Sequence, residues 1–248
     1  MENNTANEHL SKKERKEFER QQKSLSKEEM KSSEDRKRML TWGITSLVLI
    51  AAAAGIILFA RSGRPSGLLK PVDDKDWTRG NKNAPAVLVD YSDFQCPSCG
   101  AFYPILKKLE SDLGPEKLRF VYRNFPLTMV HKNAELAAEA AEAAGKQGKF
   151  WEMHDKLFET QNAWSEQNDP KNIFIGYAAD LKLNKDQFEK DLASDEVKKA
   201  VQEDVDSGNE AKVDATPTFF LNGKQISLPS SYEEFKNLVE AEATSTSK

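Results

Sequence analysis

The two cysteines of this 248-residue chain are three positions apart, between an apolar, strand-like run and a helix-like segment. The sequence there reads Phe94-Gln95-Cys96-Pro97-Ser98-Cys99. A helix N-terminus carries about half a positive charge and unpaired backbone N–H groups, which lower the pKa of a cysteine held there. Cys96 is therefore the candidate nucleophile. Cys99 lies one helical turn later, where it can form a disulfide with Cys96 and expel a bound substrate.

Two other interpretations of the cysteine pair were weighed. A zinc site would need further ligands, but the chain has no second pair and its histidines His9, His131 and His154 are scattered. A structural disulfide would close a loop too short to remove much chain entropy from the unfolded state. Disulfide exchange is favoured over both, and no metal site is expected.

A long uncharged segment, residues 39–60, precedes the cysteines. It contains 22 residues, and at about 1.5 Å per residue a helix of that length spans a bilayer core of about 30 Å. A cleavable signal peptide has a shorter apolar region of about 7 to 15 residues, so an uncleaved transmembrane anchor is favoured. Cleavage near Ala60 is left open.

Basic residues predict the orientation of this anchor. Arg36, Lys37 and Arg38 adjoin its N-terminal end, whereas Arg61 and Arg64 follow the other end. The bias favours a cytoplasmic N-terminus. A disulfide-forming pair also belongs in the oxidising compartment outside the membrane. We therefore expect a single-pass cell-membrane protein whose cysteines are extracytoplasmic.

Composition divides the remainder of the chain. Residues 1–38 hold 11 basic and 9 acidic residues and few large apolar ones, which predicts a disordered cytoplasmic tail. Residues 61–83 are rich in Gly, Pro and charge, which indicates a linker. Residues 84–248 suffice for one domain with one core. The net charge of -4 leaves no basic footprint, so nucleic-acid binding is not expected.

The last of these segments alternates between strand and helix patterns. Strands are predicted at residues 86–91, 118–125, 216–221 and 225–227, with a hairpin turn at Asn222-Gly223. Helices are predicted at residues 99–113, in a long block between 134 and 206, and at the end of the chain, where Ser231 and Glu234 form a capping box. The pattern indicates an α/β domain with a helical insertion.

Asp90 interrupts the first apolar strand, six residues before Cys96. A carboxylate in such a run is costly unless it has a partner or a function. It could lie at a polar strand end. The functional interpretation is a proton acceptor or relay near Cys99, because the resolving thiol must lose its proton before it attacks.

Three separated elements carry a resemblance to a known family. They are the segment VDYSDFQCPSC, a long helical block and the segment ATPTFFLNG. In this order they resemble the DsbA-type (BdbD-like) thiol-disulfide oxidoreductases, over about residues 77–239. The resemblance implies a thioredoxin fold with a helical insertion, preceded in this chain by one N-terminal transmembrane helix.

Position by position, the resemblance implies that Cys96 is the exposed nucleophile, Cys99 its buried partner and Asp90 the buried acid. It also implies that Thr216 and Pro217 form a cis-proline loop that faces the disulfide and binds the substrate backbone, and that Pro97 and Ser98 tune the reduction potential. The most strongly oxidising members have histidine at the position of Ser98 and glutamate at that of Asp90. A less oxidising disulfide is therefore expected here.

The resemblance further implies an enzyme that oxidises reduced secreted or cell-surface proteins through a mixed disulfide with Cys96. The cysteines carry the electrons, so no cofactor is required, and a membrane reoxidase of the DsbB or vitamin K epoxide reductase-like type would regenerate the disulfide. A monomer is expected, since no dimerisation domain is visible. Two alternatives stay open: a reductase or isomerase using the same exchange, and a non-catalytic peptide-binding or chaperone module.

Overall fold

The computed structural model describes Trp42 and residues 69–245. The predicted cytoplasmic tail lies outside these residues, and so does the predicted anchor apart from Trp42. Within the described part of the chain, no helix is both long and apolar enough to cross a membrane.

A five-stranded mixed sheet forms the centre of the domain. Its strands are β1 (Trp77–Arg79), β2 (Ala86–Ser92), β3 (Leu118–Asn124), β4 (Thr218–Leu221) and β5 (Lys224–Gln225), in the spatial order β1-β3-β2-β4-β5. β2 and β3 are parallel, and the other neighbouring pairs are antiparallel.

Helices connect and cover these strands. They are α1 (Pro97–Leu113), α2 (Ala134–Gly145), α3 (Phe150–Glu159), α4 (Gln161–Trp164), α5 (Lys171–Asp180), α6 (Lys185–Leu192), α7 (Asp195–Glu210) and α8 (Tyr232–Ser245). Helix α1 joins the parallel strands β2 and β3, as a parallel pair requires. Helices α2 to α7 form the predicted helical insertion between β3 and β4.

The sheet is buried on both faces. Leu88 and Phe120 pack with the larger cluster of apolar side chains, which includes residues of α1, α3 and α8, whereas their neighbours Val89 and Val121 belong to a second cluster on the other face. Successive residues of a strand point to opposite faces, so both faces of the central pair are covered. The apolar run predicted as a strand at residues 86–91 is thus confirmed as strand β2, and it is buried on both sides.

The prediction that residues 61–83 form a linker is wrong in part. Trp77–Arg79 is strand β1, and it pairs with β3 in the register Trp77 to Tyr122. The Trp77 ring also stacks on Phe150 with a centroid separation of 4.2 Å. Three residues are too few to show a period, and the partner strand lies far along the sequence, so local composition could not reveal the pairing.

The segment before β1 is fixed by a buried arginine. Arg123 in β3 is fully buried and donates from Nε to Asp76 Oδ1 at 2.7 Å and from Nη2 to Asp76 Oδ2 at 3.1 Å. Its Nη1 donates to the Lys70 carbonyl and to the Tyr91 hydroxyl. Residues 70–76 are therefore held against the sheet as part of the domain.

The predicted C-terminal hairpin turn and helix cap are both present, but strand β5 is shorter than predicted and the capping box is incomplete. Asn222 and Gly223 form the turn between β4 and β5, both with positive φ, but β5 ends at Gln225, short of the predicted residue 227. The Ser231 hydroxyl accepts from the Glu234 N–H at 3.2 Å. The Glu234 carboxylate bonds to Ser230 instead of Ser231, so the reciprocal half of the capping box is not formed.

Candidate active site

Cys96 lies at the junction between β2 and α1. It is the N-cap of α1 with an extended backbone, φ -66 and ψ 123, and Pro97 follows at the first position of the helix. Proline favours this position because it has no N–H to leave unpaired. Cys99 lies in the first turn of the helix, so the two thiols face each other across one turn. Both cysteines are free thiols in this structure.

The two thiols differ in electrostatics. A hydrogen bond from the Cys99 thiol, together with a bond from the Thr216 side chain and the backbone N–H groups of Ser98 and Cys99, outweighs burial and lowers the pKa of Cys96 to about 5. Burial, above all, raises the pKa of Cys99 well above its ordinary value. At neutral pH Cys96 is a thiolate and Cys99 a protonated thiol.

The expectation that Cys96 is exposed is wrong: its side chain is largely buried, although it is less buried than Cys99. Cys96 is 7% exposed and Cys99 is 2% exposed. The loop before β4 lies against Cys96: when this thiol is protonated, its Sγ donates to the Thr216 carbonyl oxygen, 3.4 Å away. Access to the Cys96 sulfur is therefore narrow.

The loop with Thr216 and Pro217 lies beside the cysteines because β4 runs antiparallel to β2. Tyr91 near the end of β2 pairs with Thr218 at the start of β4. The residues before Thr218 therefore lie at the same end of the strands as Cys96. The Thr216-Pro217 peptide bond is cis. The Thr216 hydroxyl is buried and has no hydrogen-bond partner apart from the Cys96 sulfur, whose pKa it lowers.

Pro97 and Ser98 are exposed between the two cysteines. A side chain at position 98 thus reaches solvent and any bound partner, while its backbone N–H helps to hold the Cys96 thiolate.

Asp90 lies on strand β2, close to Cys99. It is 2% exposed, its Oδ1 has no hydrogen-bond partner, and burial raises its pKa well above the ordinary value. Ser92, two residues later on the same strand face, is the side chain that hydrogen-bonds to it. The polar strand end that was the alternative interpretation does not apply, because β2 continues to Ser92.

A small cavity joins Asp90 to Cys99. Its free volume is about 10 Å³, close to what one water molecule needs. It is lined by Asp90, Ser92, Cys99, Tyr103, Leu106, Lys107, Glu110, Phe120, His154 and Phe158. Asp90, Ser92 and Cys99 offer polar partners in an otherwise mainly apolar cavity, and a water held by them could pass a proton between Cys99 and Asp90.

Sequence reasoning missed the residues that position the cysteine turn. Asp93 Oδ1 accepts from the Gln95 N–H at 2.7 Å, and its Oδ2 accepts from the Leu127 N–H at 2.9 Å and contacts His131 Nδ1 at 2.7 Å. The Gln95 side chain accepts from the Asn133 N–H at 2.7 Å. The loop after β3 is thereby tied to the turn before Cys96. Apart from the local bond between Asp93 and Gln95, these contacts join distant parts of the chain, and no local sequence pattern predicts them.

Helix α4 adds a further support. Gln161 Nε2 donates to the carbonyls of Phe94 at 2.7 Å and Cys96 at 3.0 Å. Gly100 permits this approach, because a Cβ there would lie 2.7 Å from the Gln161 side chain. His131 lies in the loop after β3, where its Nδ1 contacts Asp93, and His154 lies in the wall of the cavity. Among the described residues no group of three or more His, Cys, Asp or Glu side chains is arranged to hold a metal.

Comparison with solved structures gives the same fold. BdbD from Bacillus subtilis, in its oxidised form, matches with a TM-score of 0.64 and 27% identity over 73% of this chain and 100% of that chain. Alpha-DsbA1 from Wolbachia pipientis matches with a TM-score of 0.62 over 71% of this chain and 94% of that chain, at 21% identity. The expected thioredoxin fold with a helical insertion is thus confirmed.

Curated relatives are much longer than the matched region. The Na(+)/H(+) antiporter NhaA 1 of Salinispora arenicola is 45% identical over 159 residues, which are 64% of this chain and 23% of that protein. The chain thus spans about a quarter of the length of these relatives. A family model described as thioredoxin matches residues 73–241, most of the chain. The chain therefore belongs to the thioredoxin family, within which it resembles the DsbA and BdbD thiol-disulfide oxidoreductases.

Proposed function

We propose that this protein introduces disulfides into secreted or cell-surface proteins by thiol-disulfide exchange through Cys96 and Cys99. The observation that carries the proposal is the opposite shift of the two thiol pKa values within one helical turn. A stable thiolate at Cys96 makes it the better leaving group and favours the reduced form of the pair. An enzyme whose reduced form is stabilised passes its disulfide on to others.

The proposed reaction begins with the Cys96–Cys99 disulfide. A substrate thiolate attacks Cys96 Sγ, the Cys96–Cys99 bond breaks, and Cys99 leaves with the electron pair. Asp90 supplies a proton to this buried sulfur, directly or through a water molecule in the cavity that both residues line. A second substrate thiolate then attacks the substrate sulfur and expels Cys96 as a thiolate. The substrate loses two electrons and two protons; Cys99 keeps one proton, and the other enters solvent.

The loop of Thr216 and Pro217 is the proposed binding site for the extended backbone of the substrate. Pro217 lies at the edge of the cysteine site and precedes β4, so a peptide alongside it passes over Cys96. Met129 and Val130 add an apolar surface: they are 96% and 72% exposed, on the loop that Asp93 and Gln95 tie to the cysteine turn.

The setting of the reaction is also a proposal. The uncharged run of residues 39–60 supports a membrane anchor with the catalytic domain, residues 84–248 together with β1, on the extracytoplasmic side. Regeneration of the disulfide requires an electron acceptor, for which we propose a membrane reoxidase of the DsbB or vitamin K epoxide reductase-like type.

The test is the equilibrium of the Cys96–Cys99 disulfide in the full chain with a glutathione buffer, together with oxidation of a reduced model protein. A reduction potential of about -120 to -180 mV supports the oxidase, whereas one near about -270 mV indicates a reductase. The variant Cys96→Ser is expected to lose all exchange. A peptide-binding module without catalysis would keep its binding activity in that variant, and the wild type would show no exchange.

A further inference from the structure

Helix α1 carries a row of polar side chains that runs from Cys99 toward the surface. Tyr103, Lys107 and Glu110 follow Cys99 at intervals of four, four and three residues, and all four line the cavity beside Asp90. Residues at such intervals lie on one face of a helix. The buried groups Asp90 and Cys99 and the charged groups Lys107 and Glu110 thus border the same cavity.

The proposed reaction requires a proton to pass between the buried Cys99 sulfur and solvent. Each time the disulfide is opened, the Cys99 sulfur takes up one proton, and each time it is closed, that proton leaves. Asp90 can hold the proton, but it is 2% exposed and must itself exchange with solvent. A buried carboxyl group needs an intermediate group for this exchange.

The titratable groups around Lys107 and Glu110 differ in their ability to gain and lose a proton. Asp155 accepts from Lys107 Nζ and Arg79 Nη2, each at 2.8 Å, and contacts His154 Nδ1 at 2.9 Å, so its pKa is lowered and it stays ionised. Burial lowers the pKa of His154 to about 4, so the imidazole is neutral. The Tyr103 hydroxyl has a raised pKa and stays protonated.

Glu110 is the carboxyl group other than Asp90 that lines the cavity; Glu159, which accepts from the Tyr103 hydroxyl at 3.0 Å, does not line it. Its side chain is 19% exposed, and its closest cation, Arg79 Nη1, is 3.6 Å away, longer than the bonds that fix Asp155. Lys107 from α1 and Asp155 from α3 also face it, and burial outweighs the two cations and raises its pKa. Glu110 can thus gain and lose a proton under conditions where its neighbours do not.

We propose that Glu110 is a positioning residue that relays protons between solvent and the buried pair Asp90 and Cys99. The inference rests on the proposed function. When the disulfide opens, Asp90 gives its proton to Cys99 and is reprotonated through Glu110 and the cavity water; when the disulfide closes, the proton travels the other way.

The test measures the rate at which excess dithiothreitol reduces the disulfide of the full chain in a single turnover. Glu110→Gln keeps the shape of the side chain but cannot carry a proton, so the rate at low buffer concentration should fall at least about tenfold. Imidazole, added at constant pH and ionic strength, should restore the rate of this variant and leave the wild type unchanged. Glu110→Asp should retain most of the rate.

The matched control is Asp112→Asn on the same helix. Asp112 pairs with Lys108 at 2.6 Å and does not line the cavity, so its variant should match the wild type at every buffer concentration. A relay changes rates and not equilibria, so Glu110→Gln should keep the wild-type equilibrium constant with glutathione.

Two results would overturn the relay: a rate for Glu110→Gln equal to that of the wild type, or a slow rate that imidazole does not restore. The second would mean that Glu110 only supports the packing around Arg79. If the wild type itself does not exchange with dithiothreitol through Cys96, the proposed function fails, and the relay fails with it.

Discussion

Replacement of Thr216 by valine removes one hydroxyl group from beside the Cys96 sulfur and keeps the volume of the side chain. The Thr216 hydroxyl is buried, has no other partner, and is among the groups that lower the pKa of Cys96 by hydrogen bonding to its sulfur. A charged acceptor makes the stronger hydrogen bond. The substitution should therefore destabilise the thiolate more than the thiol.

The size of the effect follows from the strength of one hydrogen bond to a charged group, about 1.5 to 3 kcal/mol. At about 1.36 kcal/mol for each pKa unit, this raises the pKa of Cys96 from about 5 to between about 6 and 7. At pH 7 the reduced form is then destabilised by about 1.3 to 2.3 kcal/mol relative to the disulfide form. The reduction potential of the cysteine pair therefore becomes more negative by about 30 to 50 mV, so the disulfide is less oxidising.

Two assays on the same protein check this reasoning. Thiolate absorbance of the reduced chain, titrated against pH, gives the pKa of Cys96, and the glutathione equilibrium gives the potential. Thr218→Val is the control, since the Thr218 hydroxyl donates to the Ala215 carbonyl at 2.7 Å and not to the cysteine. An unchanged pKa in Thr216→Val, or an equal change in Thr218→Val, would refute the role given to the Thr216 hydroxyl.

Two further predictions concern other parts of the domain. Glu142 and Asp204 are buried carboxyls that both bond to the Asn124 amide, and burial raises their pKa values to about 8 and about 7. Acids with raised pKa values favour folding while protonated, so the free energy of unfolding should fall as the pH rises from about 4 to about 8. Urea unfolding should therefore show a larger stability difference between Glu142→Gln and the wild type, in favour of the variant, at pH 8.5 than at pH 5.5; an equal difference at both pH values would contradict the role given to Glu142. Substitution of Met129 and Val130 by serine should raise the KM for a reduced protein substrate severalfold and leave the exchange rate with glutathione unchanged, and an equal loss with both substrates would contradict a docking role for this loop.

The sequence allowed the core of the fold to be predicted because its signals are local. The apolar run of β2, the spacing of Cys96 and Cys99 and the turn Asn222-Gly223 each reflect neighbours along the chain. The resemblance added the loop of Thr216 and Pro217, which comes from more than a hundred residues later. Antiparallel pairing of β2 with β4 brings this loop to the end of β2 that leads into the cysteine pair, whereas the turn Asn222-Gly223 lies at the other end of the strands, where the Asn222 N–H donates to the Val87 carbonyl.

The features that sequence reasoning missed depend on contacts between distant residues. Strand β1 is recognisable only by its pairing with β3. The bonds of Asp93 to the loop after β3 likewise have no local pattern. Glu110 was within reach of prediction, since its spacing from Cys99 places it on the same helix face, but only the packing of α3 against that face shows that it borders a cavity.

The buried Arg123 determines how much of the chain must be kept for the domain to be an independent folding unit. Its charge is balanced by Asp76 and by the carbonyls of Lys70 and Pro71. A cut at Trp77 would preserve every strand of the sheet and leave this guanidinium buried without its carboxylate, at a cost of about 3 to 5 kcal/mol. That is a large share of the stability of a small domain. Proteolysis between residues 70 and 76 should thus unfold the domain cooperatively instead of trimming a tail.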